Sequence, residues 1–167
     1  MHYTDQRKFI DRRSQGYSRL QTLLDARQHT LKLYADLARH RPFSDSRNLY
    51  SELLSFSQAV VDYTASAHFQ LYQKLTEGTE NREAVKLIGD RLYPRIVRST
   101  QKILAFSDDF GDNPEPNLDH LEARLSEVGE VLAERIELED QLLEALRYDR
   151  RAVSAKPLTG VLRDLAL

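Results

Sequence analysis

The sequence predicts an all-α fold: a single-domain antiparallel four-helix bundle built from long helices. Three observations carry this reading. The chain has 167 residues, which suits one domain with a sizeable core. Apolar residues recur at spacings of three and four in four long stretches, which is the helical period. Breaker residues bound each stretch, and 6 Gly with 5 Pro are too few for a turn-rich β protein. Short links between consecutive helices imply antiparallel neighbours.

Residues 1–15 are charged and are expected to form an N-terminal arm or short helix leading into a bundle over 16–150. The first long helix spans roughly Ser18 to Arg39, with Leu20, Leu23, Leu24, Leu31, Tyr34 and Ala38 as its stripe. It stops near Pro42, which lacks an amide proton and restricts the residue before it. The second runs from Ser46, a suitable N-cap, to Glu77, and Gly78 follows as a favoured C′ residue. Its stripe is Leu49, Leu53, Phe56, Val60, Tyr63, Ala67 and Leu71. The third opens near Asn81 and reaches Phe110 on Val85, Ile88, Leu92, Ile96, Ile103 and Phe110. Pro94 lies inside it and is expected to kink or split it. After the loop Gly111 to Pro116, Asn117 is placed to cap a fourth helix over Leu118 to Tyr148. Its stripe is Leu118, Leu121, Leu125, Val128, Leu132, Ile136, Leu143 and Leu146. Residues 151–167 form a C-terminal tail with Pro157 and Gly160 before Val161-Leu162-Arg163-Asp164-Leu165.

Composition removes several function classes. With no Cys, there is no disulfide scaffold, cysteine nucleophile or thiolate metal site. No run approaches the ~18 apolar residues of a membrane span, and the start has no apolar signal core, so a cytoplasmic location is expected. The net charge of −2 hides an asymmetry. Residues 1–50 carry +5 and residues 111–150 carry −8. This total is unlike a nucleic-acid-binding footprint, and an acidic bundle suits a basic partner such as a helix-turn-helix module. No His follows a Glu at the Glu-x-x-His spacing of di-iron bundles, and no phosphate-loop or nucleophile-elbow motif is present. The expectation is therefore a non-enzyme with no catalytic residues, metal or cofactor.

Two sets of residues stand out. Ser55, Gln58, Asp62, Ser66, Phe69 and Gln73 fall within an arc of about 80° on the second helix at 100° per residue, within 40° of its middle. An acid and an aromatic two turns apart on a polar face suit a partner surface: the aromatic anchors by burial and the acid selects a basic partner. Tyr63 is grouped with this face as the neighbour of Asp62. The second set is a polar cluster on the core seam, His68 and Tyr72 with Arg135 and Glu139. A His68–Glu139 or Arg135–Glu139 pair would satisfy it; otherwise it would form a small pocket. A small-ligand or metal-binding bundle, or a self-associating adaptor, are the alternatives these features leave open.

The stretch Val61-Asp62-Tyr63-Thr64-Ala65-Ser66-Ala67-His68-Phe69-Gln70-Leu71-Tyr72 resembles the V-D-Y-x-S-A-G-H-F-x-x-Y segment of the Rsd/AlgQ family. Leu125 to Asp140 resembles that family's L-x-x-[IL]-G-x-x-L-x-x-R-[FI]-x-L-E-D segment, and Leu24 to His29 its first long helix. The Tyr93-Pro94 step also matches. The similarity covers residues 17–148 in order. It implies a helical bundle that binds region 4 of the primary sigma factor, the basic module that reads the −35 element and docks on core polymerase. The family's acidic sigma contact carries over onto Asp62. No direct nucleic-acid or membrane contact is implied, and the protein is expected to be a monomer or weak dimer.

Overall fold

The structure, a computed structural model, describes residues 3–44, 46–111, 113 and 115–154, with side chains described only between 15 and 148. The chain is all-helical among these residues. Helix α1 covers Tyr3–Ala38, α2 Arg47–Ala67, α3 Gln73–Thr76, α4 Glu83–Phe110 and α5 Leu121–Ser154. A π-turn, His68–Tyr72, joins α2 to α3, and a 3₁₀ turn, Leu118–His120, precedes α5. Four long rods result: α1, α2 with its π-turn and α3, α4, and α5.

Residue pairs across each interface run in opposite senses. Between α1 and α2, Thr30 Oγ1 donates to the Ala59 carbonyl at 3.1 Å, and the Tyr34 and Phe56 rings lie 5.8 Å apart. Between α2 and α4, Phe56 meets Phe106 at 5.6 Å, and Tyr72 meets Tyr93 at 6.1 Å. Between α4 and α5, Arg95 pairs with Glu134 at 2.7 Å and Asp109 with Arg124 at 2.8 Å. The α1–α5 side differs. The two backbones do not come as close as the sequential pairs, and long side chains bridge them. Tyr34 Oη donates to the Leu125 carbonyl at 3.2 Å, and Arg27 reaches Glu139. Gly129 makes room for Tyr34, because a β-carbon there would collide with its hydroxyl.

The local signals act as their chemistry dictates. Ser46 accepts from the Leu49 amide at 3.2 Å, capping α2, and Asn117 accepts from Asp119 at 3.0 Å. Gly78 has φ +66, and Thr79 N–H bonds the Lys74 carbonyl while Gly78 N–H bonds Leu75. That is a Schellman closure, for which glycine has no steric cost. The whole apolar stripe of the second helix is buried, and so are Leu23, Leu37, Ile103, Phe106, Leu121, Leu125 and Leu132. Each such side chain contributes roughly 1.5–3 kcal/mol by leaving water.

Four elements differ from the sequence reading. Helix α1 begins at Tyr3 rather than near Ser18, and its buried line is Leu23, Arg27, Thr30 and Leu37, with Leu31 exposed. The second helix is not uniformly α. Gln73 N–H bonds the His68 carbonyl five residues back, which opens the π-turn. The wide turn delivers consecutive side chains, Leu71 and Tyr72, to the core. Helix α4 is continuous through Pro94, so of the kink or split expected there the split does not occur. The missing bond costs about 3 kcal/mol, and burial of Leu92 and Ile96 on either side offsets it. Helix α5 passes Tyr148 and runs to Ser154. Residues 155–167 of the tail lie outside the described residues.

The α3–α4 corner is pinned by Glu80. Its Oε1 accepts from the Arg82 amide at 3.0 Å and Nε at 2.7 Å, and Oε2 accepts from Nη2 at 2.6 Å. The carboxylate is buried, and the Arg82 hydrogen bonds pull its pKa down from 4.5 to about 2. A lowered pKa gives stability that is present above the unfolded carboxylate value and lost as pH falls through the folded one. Glu80→Gln is therefore expected to destabilise the protein at pH 7 by about 1–2 kcal/mol. In urea titrations that deficit should narrow as pH is lowered from about 4.5 towards about 2. A deficit constant over that range would contradict the assignment.

Candidate functional site

The core seam holds a buried ion network centred on Glu139. Glu139 and Arg135 lie one turn apart on α5 and are 0% and 1% exposed. Arg135 Nε donates to Glu139 Oε1 at 2.9 Å, and Arg135 Nη1 donates to Ser99 Oγ at 3.0 Å and Thr100 Oγ1 at 2.8 Å on α4. Glu139 Oε2 accepts from Arg27 Nη2 on α1 at 3.0 Å and from the Tyr63 hydroxyl on α2 in a short contact. Arg27 Nη1 reaches Asp140 at 2.7 Å. One carboxylate thus ties all four long helices together. Burial disfavours the charge on Arg27, but Asp140 and Glu139 outweigh it and its pKa rises. Burial, reinforced by the Glu139 charge, raises the pKa of the Tyr63 phenol. The buried Tyr72 hydroxyl finds no hydrogen-bond partner of acceptable geometry among the described residues, and burial beside Glu139 raises its pKa too.

Of the polar cluster expected from sequence, Arg135 and Glu139 are paired. His68 is not joined to Glu139. It opens the π-turn, half-buried, with its ring edge on Phe69 at a centroid distance of 5.4 Å. Arg27, Ser99 and Thr100 complete the network and were missed. Arg27 does carry a signal, because it sits at the helical spacing i+4 from Leu23 and three before Thr30, on the buried line of α1. Nothing in the spacing of Ser99 or Thr100 marks them as partners of Arg135.

The second set lies on the outside of α2. Ser55, Gln58, Asp62 and Phe69 are exposed and Ser66 is half-buried. Tyr63 is a correction: expected with the partner face, it is 0% exposed and its hydroxyl belongs to the Glu139 network. One residue further round the helix than Asp62, it points to the core. Asp62 has no ion pair or hydrogen bond among the described residues. Phe69 is 61% exposed, which is unusual for a phenylalanine.

This ridge separates two grooves. On the α1 side, Ser55, Gln58 and Asp62 face Ala26, His29 and Leu33 across a groove of about 510 Å³. On the α4 side, Val61, Ala65, His68 and Phe69 face Tyr93, Val97 and Leu104 across a largely apolar groove of about 440 Å³. Among the described residues no group of three or more His, Asp or Glu is placed to hold a metal ion. Nor is any described helix long and apolar enough to cross a membrane.

Fold and surface define a class: an all-helical bundle with a buried ion network at its centre and an exposed acid and aromatic on the outer face of α2. Residues 4–147 match the family model described as regulator of RNA polymerase sigma(70) subunit, Rsd/AlgQ. The chain belongs to the Rsd/AlgQ family of sigma-factor regulators. A regulator of sigma D from Pectobacterium atrosepticum is 34% identical, over 75% of this chain and 85% of the relative. Its namesake from an Enterobacter species is 32% identical over 75% and 78%, and that from Yersinia enterocolitica 29% over 72% and 75%. No solved structure matches the chain.

Neutralising Glu139 would leave the buried Arg135 guanidinium without a carboxylate and Arg27 with Asp140 alone, so Glu139→Gln is expected to cost about 3–5 kcal/mol. Tyr63→Phe, which removes one donor to that carboxylate, should cost about 1.5–3 kcal/mol. Urea unfolding of both variants checks the order; a Glu139→Gln protein as stable as wild type would refute the central role of this carboxylate.

Proposed function

We propose that the protein binds region 4 of the primary sigma factor and alters that factor's association with core polymerase and the −35 element. The observation that carries this reading is the α2 ridge. Asp62 and Phe69 lie two turns apart, both exposed, and Asp62 has no partner of its own among the described residues. The aromatic would leave water in the complex, and the acid would meet a basic side chain. The ridge's flanking grooves admit side chains to either side. Gln58 and Ser66 supply hydrogen-bonding groups on the same face, whereas Tyr63 supports it from beneath. Family membership supports the reading, because regulators of sigma are named for that partner. Such a role is played without catalysis and in the cytoplasm, beside RNA polymerase.

The acidic α5 and the ridge acid would together steer a basic module, so affinity should fall with added salt. Asp62→Arg places like charge against that module and is expected to weaken binding of purified sigma region 4 by at least tenfold. Phe69→Ala, at an exposed site, should weaken binding by a similar factor while leaving the unfolding midpoint unchanged. Calorimetric titration at low and at physiological salt measures both. Absence of wild-type binding at low salt, or full binding by Asp62→Arg, would overturn the proposal.

A further inference from the structure

The groove between α2 and α4, about 440 Å³, has the size of a small-molecule site. Its walls are apolar. Phe69 is 61% exposed, Leu104 42% and Val97 37%, and Tyr93 lines the groove with them. Single exposed apolar residues need no explanation, but three large ones around one groove mark a contact surface.

The polar lining has one sign. No Asp or Glu lines the groove, whereas Arg135 does. Arg135 comes from α5 and is 1% exposed, so a ligand would reach its guanidinium only through the groove. Its Nε and Nη1 are spent on Glu139, Ser99 and Thr100, and Nη2 has no acceptor among the described residues. Glu139 is divided between Arg135 and Arg27, so its charge does not belong to Arg135 alone. The Thr64 and Thr100 hydroxyls donate to the Val61 and Ile96 carbonyls at 2.7 and 3.0 Å, which leaves them no proton for a ligand. Tyr72 also lines the groove, is 3% exposed, and has a hydroxyl without a partner among the described residues.

These observations select an occupant. A cation would meet a guanidinium and no carboxylate. A carboxylate would accept from Nη2 in a charge-assisted hydrogen bond, in a place where water competes poorly. An aromatic body would leave water against Phe69, Tyr93, Val97 and Leu104. We propose that the α2–α4 groove is a binding site for a small aromatic monocarboxylate, held by Arg135 at its charged end and by these apolar walls along its body. The site stands on the groove alone and does not depend on which partner the α2 ridge takes.

Replacing Arg135 would break the buried network, so the wall of the groove is varied instead. Three probes share one apolar body and differ in charge: naphthoate, naphthamide and naphthylmethylammonium. Titrated into the isotope-labelled full chain, naphthoate is expected to bind saturably and to shift the guanidinium resonances of Arg135. Naphthamide should bind at least tenfold more weakly, and naphthylmethylammonium more weakly again. Val97→Asp, which places a carboxylate at the groove wall, should weaken naphthoate binding at least tenfold and leave the unfolding midpoint unchanged. Leu31→Asp, at a comparably exposed site on α1, adds the same charge outside the groove and should leave the affinity unchanged. Equal affinities for the three probes would reveal an apolar surface without a carboxylate site and would overturn the proposal. So would naphthoate binding that leaves the Arg135 resonances in place, binding indifferent to Val97→Asp, or no saturable binding at all.

Discussion

The bundle depends on one carboxylate. Glu139 is fully buried, and its two oxygens are divided between Arg135 on its own helix and Arg27 and Tyr63 from two others. Arg135 carries the connection on to Ser99 and Thr100 of α4. An ionised carboxylate without these donors would be too costly to bury, and so would Arg135 without the carboxylate. The network therefore imposes register. If any helix slid by one turn, a charge would lose its partner in a low-dielectric core. Apolar packing alone tolerates such slips better, because one leucine can replace another across a seam.

The same network accounts for the side of the bundle where backbones lie furthest apart. Helices α1 and α5 are bridged by Arg27, which has the reach, and by Tyr34 against Gly129. Anchoring Tyr63 inward has a second effect on α2. It fixes the rotation of that helix, so that Asp62 and Phe69 stay outward. The π-turn at His68–Tyr72 then turns Leu71 and Tyr72 into the core while Phe69 remains outside. Core and surface are thus two consequences of one helix orientation.

Much of this was legible in the sequence. The helix count, the caps at Ser46 and Asn117, the Gly78 closure and the buried stripe of the second helix follow from local chemistry and periodicity. The Arg135–Glu139 pair follows as well, because i and i+4 on a helix are neighbours. The failures have common causes. Leu31 fits a helical stripe yet is exposed, because a long helix offers more than one apolar line and only packing selects among them. His68 lies beside the buried stripe, on the line of Val61 and Ala65, and it stays half-buried there rather than reaching Glu139. Tyr63 follows Asp62 in a motif, and adjacency in a motif says nothing about which way each side chain faces.

What the sequence determined by itself is whatever depends on neighbours within a turn or two: helices, their ends, amphipathic faces and the acid–aromatic spacing on α2. Those interactions are short-range, so the covalent order of residues is enough to set them. Only the tertiary structure decided that Arg27 joins Glu139 across more than a hundred residues, that Ser99 and Thr100 receive Arg135, and that Tyr34 reaches the Leu125 carbonyl beside Gly129. These depend on the mutual rotation and depth of packed helices. Many side chains act together to set those quantities, and no local pattern encodes them.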